Sequence, residues 1–169
     1  MRLLARWAVR LLVGFILFTI GGALVALSRR EQSARPEDPE ADEVDLAAVM
    51  APLAYRSHAR AFRGGRCLTW YGGGVIDLRG ATLDPAGATV RVRCLFGGGQ
   101  LVVPEGWDVR LRVLPIFGGC ADSRPRVERG PDAPRLTIEG LTVFGGFAVM
   151  SRLDAGQEEW LRTNAPAEA

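Results

Sequence analysis

Four times along the chain, a stretch of alternating apolar and polar positions runs into an aromatic residue and two glycines. The four copies are Tyr71-Gly72-Gly73, Phe96-Gly97-Gly98, Phe117-Gly118-Gly119 and Phe144-Gly145-Gly146. The aromatics are 25, 21 and 27 residues apart, and self-similarity on that scale marks a stacked repeat. Aligned on the first glycine, one upstream column reads Cys67, Val92, Val113 and Gly140, and another reads Gly65, Val90, Leu111 and Ile138. Between them stand Arg66, Arg91, Arg112 and Glu139. This alternation predicts a strand with one buried face leading into each Gly-Gly. The runs 75–78 and 100–103 predict second strands after it.

The alignment exposes a fifth, degraded copy over 44–50, with Ala51-Pro52 in place of Gly-Gly. A helix starting at Asp42 is the competing reading. The register favours a strand, and a first rung that departs from consensus suits the end of an array. The fold class that follows is all-β: a short β-solenoid of about five rungs. Each Gly-Gly is read as a sharp turn, using positive φ and the close approach of rungs about 4.8 Å apart. The aromatics are read as a core column, Tyr71, Phe96, Phe117 and Phe144 stacking below Met50. Asp84-Pro85-Ala86-Gly87 and Pro104-Glu105-Gly106 supply turns between strands. A longer polar loop covers 124–134, and 154–162 predicts a short helix whose Trp160 and Leu161 cover the last rung.

Ahead of the repeats, Leu11 to Leu27 is uncharged and apolar. As a helix it spans about 26 Å, close to the hydrocarbon thickness of a bilayer. Trp7 is placed as an interfacial anchor, and Arg10, Arg29 and Arg30 flank the span. A cleaved signal peptide is the alternative, with a small-x-small site at Ala26-Leu27-Ser28, but the apolar run exceeds the usual length. Thr19, Gly22 and Ala26 form a small-residue stripe that is read as incidental. The chain therefore divides into a transmembrane anchor (1–30), an acidic, proline-containing linker (31–43), the solenoid (44–153) and a C-terminal cap with a polar tail (154–169). The expected location is the cell membrane in a single pass. The arginines on either side of the span balance, and the free amino terminus tips the expectation toward an extracytoplasmic domain.

Charge changes this picture little. The net charge of +2 gives no field that points to nucleic acid, although all 21 basic residues are arginine. Stacking the rungs in chain order produces an outward column of Asp45, Arg66, Arg91, Arg112 and Glu139. Its three adjacent guanidinium groups form either a solvated ladder or an anion-binding strip for lipid headgroups, a wall polymer or an acidic partner.

The phrases Ala61-Phe62-Arg63-Gly64-Gly65, Ile76-Asp77-Leu78-Arg79 and Val102-Val103-Pro104-Glu105-Gly106-Trp107, with the repeated Phe-Gly-Gly, resemble the C-terminal domain of LiaF-like proteins. These are cell-wall-active antibiotic response proteins of bacteria, and the resemblance covers 44–150. It implies a short single-stranded β-solenoid, β-helix-like and of the toast-rack kind, and a role at the membrane in sensing or restraining a cell-envelope stress response, often beside a two-component system. This chain departs from the family type in having one span where several are usual, which bears on sidedness and on a histidine-kinase partner. The resemblance carries no catalytic residues.

Catalytic and metal chemistry find few residues. His58 is the only histidine and is read as an exposed loop residue. No Cys-x-x-Cys or His-x-x-x-His exists, so there is no zinc ligand set. Asp77, Asp84, Glu105, Asp108 and Asp122 are read as solvated turn residues. The register sends Cys67, Cys94 and Cys120 to three different columns: Cys67 is a small buried hydrophobe, and Cys94 with Cys120 is a candidate disulfide in an oxidising compartment. The glycines after Tyr71 and Phe96 lack the following Lys-Ser/Thr of a phosphate loop.

The leading expectation is thus a non-enzymatic, membrane-anchored sensory, regulatory or scaffolding module without cofactor. Its partners are the membrane, a membrane sensor protein or further copies of itself. A self-assembling solenoid whose end rungs stack between molecules is the alternative. A small glycan-acting solenoid enzyme, using Asp77 or Asp122, comes third.

Overall fold

The computed structural model describes Arg10, Val13, Gly14 and residues 38–165. The chain divides into two units, Met1–Ala34 and Arg35–Ala169. Of the span expected over 11–27, only Val13 and Gly14 are described, and both are helical. The small-residue stripe, most of the acidic linker and the last four residues of the tail lie outside the described residues. Among the described residues, no helix is long and apolar enough to cross a membrane.

The second unit is a parallel, solenoid-like sheet of eight strands. These are β1 (Glu43–Val49), β2 (Pro52–Arg56), β3 (Gly64–Trp70), β4 (Gly73–Asp77), β5 (Ala88–Val102), β6 (Asp108–Ile116), β7 (Gly119–Asp122) and β8 (Arg135–Met150), followed by helix α1 (Ala155–Asn164). They build five rungs, each with two limbs meeting at a corner. The degraded copy at the start is a strand, β1, as the register predicts, and β2 follows it. Val44, Leu46, Cys67, Val90, Val92 and Ile138 of the first limbs pack against Tyr55, Ile76, Leu101, Phe147 and Val149 of the second. The turn at 84–87 forms as read, with the Ala86 N–H donating to Asp84 Oδ1 at 2.8 Å.

The rungs do not stack in chain order. β1 pairs with β3 and β3 with β5, but β5 then pairs along its length with β8, and β6 and β7 pair with the far side of β8. The spatial order is first, second, third, fifth, fourth. Burial accounts for the swap. Leu136, Ile138, Thr142, Phe147 and Val149 of β8 are all at most 2% exposed, so β8 gains from neighbours on both sides. β6 is mostly half-buried or exposed and contains Pro115, which suits an edge strand. The loop 123–134 lets the chain pass back over the fourth rung.

Prolines mark both outer edges. The Met50 N–H donates to the Trp70 carbonyl and the Tyr71 N–H to the Leu95 carbonyl, so amides in the aromatic column point to the next rung. Amide direction repeats every second residue along a strand. Pro115, two residues before Phe117, therefore has its nitrogen on the open side of the last rung. The Gly98 N–H donates back to the Gly72 carbonyl, so Pro52, in the matching position, has its nitrogen on the open side of the first. Each edge lacks a donor where a further strand would dock.

The corner differs from the sequence reading. The positive φ belongs to the aromatic column and not to the glycines: Met50, Tyr71, Phe96, Phe117 and Phe144 have φ between 47° and 53°. The glycines are needed for close approach. A Cβ on Gly97 would stand 1.8 Å from the Gly72 carbonyl oxygen, and one on Gly145 would stand 1.6 Å from that of Gly97. The same direction takes a Cβ on Gly72 toward Ala51. Ala51 has no rung before it, so its methyl group is accommodated.

Helix α1 starts at a capping box. The Gln157 N–H donates to Asp154 Oδ1 at 2.8 Å, and the Asp154 N–H donates to Gln157 Oε1 at 3.2 Å. The helix does not cover the last rung. Its buried Leu161, with Trp160 beside it, packs on Val75, Val102, Ala54 and Met150, so it lies as a strap across the outer side of the second limbs. Polar contacts fasten it: Arg79 Nη1 to Glu158 Oε1 at 2.6 Å, and Gln157 Nε2 donating to Gln100 Oε1 at 3.0 Å.

Candidate interaction face

Period two would send the aromatic column inward with Thr69, Cys94 and Thr142, two positions earlier. The left-handed backbone reverses that alternation and turns the rings out at the corner. Tyr71 stacks on Phe96 with centroids 4.6 Å apart, Phe96 on Phe144 at 5.1 Å, and Phe144 on Phe117 at 5.0 Å, all nearly parallel. The expected ladder exists, in the swapped order. It is a surface feature and not a core column: Phe117 is 77% exposed and Met50, at the other end, 70%.

Beside the ladder, the outer side of the first limbs is apolar in two further columns. The residue before each aromatic is Val49, Trp70, Leu95, Val143 or Ile116, and two positions earlier stand Ala47, Leu68, Arg93, Leu141 and Leu114. Within 38–165, seven large hydrophobic residues are exposed, and six of them lie in these three columns: Met50, Tyr71, Leu114, Ile116, Phe117 and Phe144. A pit of about 270 Å³ sinks into the middle of the strip, lined by Leu68, Trp70, Arg93, Leu95, Gly140 and Leu141. The sequence carried a signal for this face. Just before each Gly-Gly the outward positions, charged earlier in the strand, turn apolar at Trp70, Leu95, Ile116 and Val143.

Next to the apolar columns runs the charged one, and the swapped order rewrites it. Spatially it reads Asp45, Arg66, Arg91, Glu139, Arg112. Arg66 is paired with Asp45, and Arg91 with Glu139 at 2.9 Å. Arg112 is split from Arg91 by Glu139, so the expected strip of three adjacent arginines is not formed. The alternation relieves the like-charge contact that chain order would have imposed. Among the described residues, Arg112 and the exposed Arg93 have no ion-pair partner.

Two carboxylates read as solvated turn residues are structural clamps. Asp77 is 2% exposed. Its Oδ1 accepts from the Arg79 backbone N–H at 3.0 Å and from Arg79 Nε at 2.9 Å, while Oδ2 accepts from Arg79 Nη2 at 2.8 Å. Arg56 adds a contact at 3.4 Å. Burial alone would raise the pKa of this carboxyl, but the Arg79 hydrogen bonds and the charges of Arg79 and Arg56 outweigh it and hold the group below its ordinary value. Asp122 repeats the arrangement with Arg124, whose guanidinium also donates to the Trp107 carbonyl at 3.0 Å. Its pKa is lowered by the same balance. Locked in this way, both stay ionised, and neither lines the second cavity, a groove of about 720 Å³ over Gly98, Gly146, Gly119, Gln100 and Gln157. The lining of that groove contains no charged side chain.

The thiols occupy the three columns read from the register and are free. Burial, with Cys94 nearby, pushes the Cys67 thiol up to about 12, and burial also raises Cys94, so both stay protonated at neutral pH. Cys120 Sγ lies 3.6 Å from Thr142 Oγ1. His58 is half-buried rather than exposed: its ring lies under Gly80, and its backbone N–H donates to the Pro39 carbonyl at 2.7 Å. Among the described residues, no group of His, Cys, Asp and Glu is placed to hold a metal ion. Compared with protein-family models, curated proteins and solved structures, the chain finds no match.

Proposed function

We propose that this chain is a membrane-anchored, non-enzymatic binding module that senses or restrains a bacterial cell-envelope stress response. Its solenoid holds out one working face, and a membrane sensor protein is its signalling partner. The observation that carries the reading is the gathering of six exposed large hydrophobics on one side of the stack. Exposed apolar surface collected in one patch is the mark of an interaction site. The carboxylates best suited to chemistry, Asp77 and Asp122, are engaged by arginines. The apolar segment 11–27 and the resemblance to LiaF-like proteins support the membrane setting and the stress response. Stacking of end rungs between molecules has less in its favour, because Pro52 and Pro115 each remove an outward donor.

A complementation experiment tests this. In a host lacking the gene, the wild-type chain restores the normal transcriptional response to a cell-wall antibiotic, and the double variant L114D/F117D does not, although it stays folded and loses only the end stack of Phe117 on Phe144. Full complementation by that variant would remove the face from the function. Loss of function in D77N that exceeds its loss of folded protein would restore a catalytic reading.

A further inference from the structure

We infer that the apolar face seats on an anionic lipid surface, with the pit beside Arg93 taking an acyl-chain segment and Arg93 and Arg112 contacting phosphate groups. This rests on the reading of the face as the working surface and adds what the face binds.

The face is the outer side of a parallel sheet, bordered at the corner by the ladder of stacked rings. Five rungs about 4.8 Å apart make it roughly 20 Å long. Its composition is that of a membrane interface. Trp70 and Tyr71 are neighbours on the strip, and aromatic residues of this kind concentrate at headgroup level. Leu114, Ile116 and Phe117, exposed by 63%, 38% and 77%, form its outer corner.

Charge complementarity selects the lipid class. Asp45 and Glu139 are already matched by Arg66 and Arg91, which leaves the guanidinium groups of Arg93 and Arg112 as the uncompensated charges next to the apolar columns. Arg93 stands in the apolar column itself, on the rim of a pit whose other walls are Leu68, Trp70, Leu95 and Leu141. A cation above an apolar hollow matches an anionic lipid, with its phosphate at the rim and hydrocarbon below.

The full chain is reconstituted in phosphatidylcholine vesicles containing either a photoreactive phosphatidylglycerol or a photoreactive phosphatidylcholine, and adducts are mapped by mass spectrometry. The expected result is adducts on peptides carrying 68–70, 95 and 114–117 from the anionic probe. R93Q/R112Q, which replaces exposed side chains and leaves the melting curve unchanged, should reduce them roughly tenfold. Adducts confined to residues 1–37 would overturn the inference. So would equal labelling of the face by both probes, or face-to-face protein cross-links in place of lipid adducts. Should the face prove silent to lipid while L114D/F117D still fails to complement, the binding-module reading stands and the lipid assignment falls.

Discussion

Arg91 Nε lies 2.9 Å from Glu139 Oε1, although 48 residues separate the two along the chain. The contact exists because the fifth rung is inserted ahead of the fourth, and it interrupts what would otherwise be a run of arginines. E139R would leave four guanidinium groups on adjacent rungs. The pair is exposed, so the cost is expected to be about 1 kcal/mol at low ionic strength. Most of it should be recovered in salt at about 0.5 M, where the Debye length is shorter than the rung spacing. Thermal melts of E139R and wild type at two salt concentrations check this; a deficit that ignores salt would contradict it.

The two glycine columns of the corner should respond differently to a methyl group. A methyl group at Gly145 meets the Gly97 carbonyl oxygen at 1.6 Å, whereas one at Gly119 meets nothing within 4 Å. Urea titration is expected to show a loss of about 3 kcal/mol or more for G145A. G119A should stay within about 0.5 kcal/mol of wild type.

Phe144 is stacked on both sides and has φ 51°. Stacking contributes about 0.5–1.5 kcal/mol per pair, while a left-handed backbone costs an L-residue about 1–2 kcal/mol. F144A forfeits the stacks and keeps the strained backbone. F144G forfeits them and relieves it. F144G should therefore be the more stable of the two by about 1 kcal/mol, the reverse of the usual ranking of alanine and glycine in a strand. Equilibrium unfolding of both variants decides the order.

Asp77 gives the fold an acid limb. Its carboxyl is held below the ordinary value of about 3.9 when folded and returns to it when unfolded. The unfolded state therefore binds its proton first as pH falls. The contribution of the clamp is complete above about pH 4 and is lost as pH drops through the lower folded value. D77N should lower stability at pH 7 by about 3 kcal/mol, because Arg79 and Arg56 lose their shared acceptor. It should also flatten the stability profile below about pH 4. A D77N profile parallel to that of wild type in acid would show that Asp77 does not set this limb.

Much of the fold was legible because a parallel stack writes its register into the sequence. The columns of Cys67 with Val92, Arg66 with Arg91, and Cys120 with Phe147 come out as aligned, and the glycine-free first rung took its place by the same register. Spatial order did not come out, because alignment gives the phase of each rung and not its neighbours. Only the contrast between the unbroken apolar β8 and the proline-bearing β6 carries that information. The aromatic column pointed outward for a local reason. Positive φ was assigned to the residues that adopt it most cheaply, whereas the corner spends its glycines on rung contact and places the left-handed turn one residue earlier. The face is harder to see in the sequence because Trp70, Leu95, Leu114 and Ile116 continue the strand pattern, and only their outward direction makes them surface residues.

Insertion of β8 between β5 and β6 has a consequence for biosynthesis. A chain emerging from the ribosome presents β6 before the strand that belongs beside β5. A chain that ends near Asp122 would have only β5 available to receive β6, in a register that the Phe-Gly-Gly repeat makes self-consistent. The last rung to be made must then enter an occupied position or arrive before β6 has docked. The finished order therefore demands that β8 either reach β5 before β6 does or displace it there, and chain order alone does not deliver the stack.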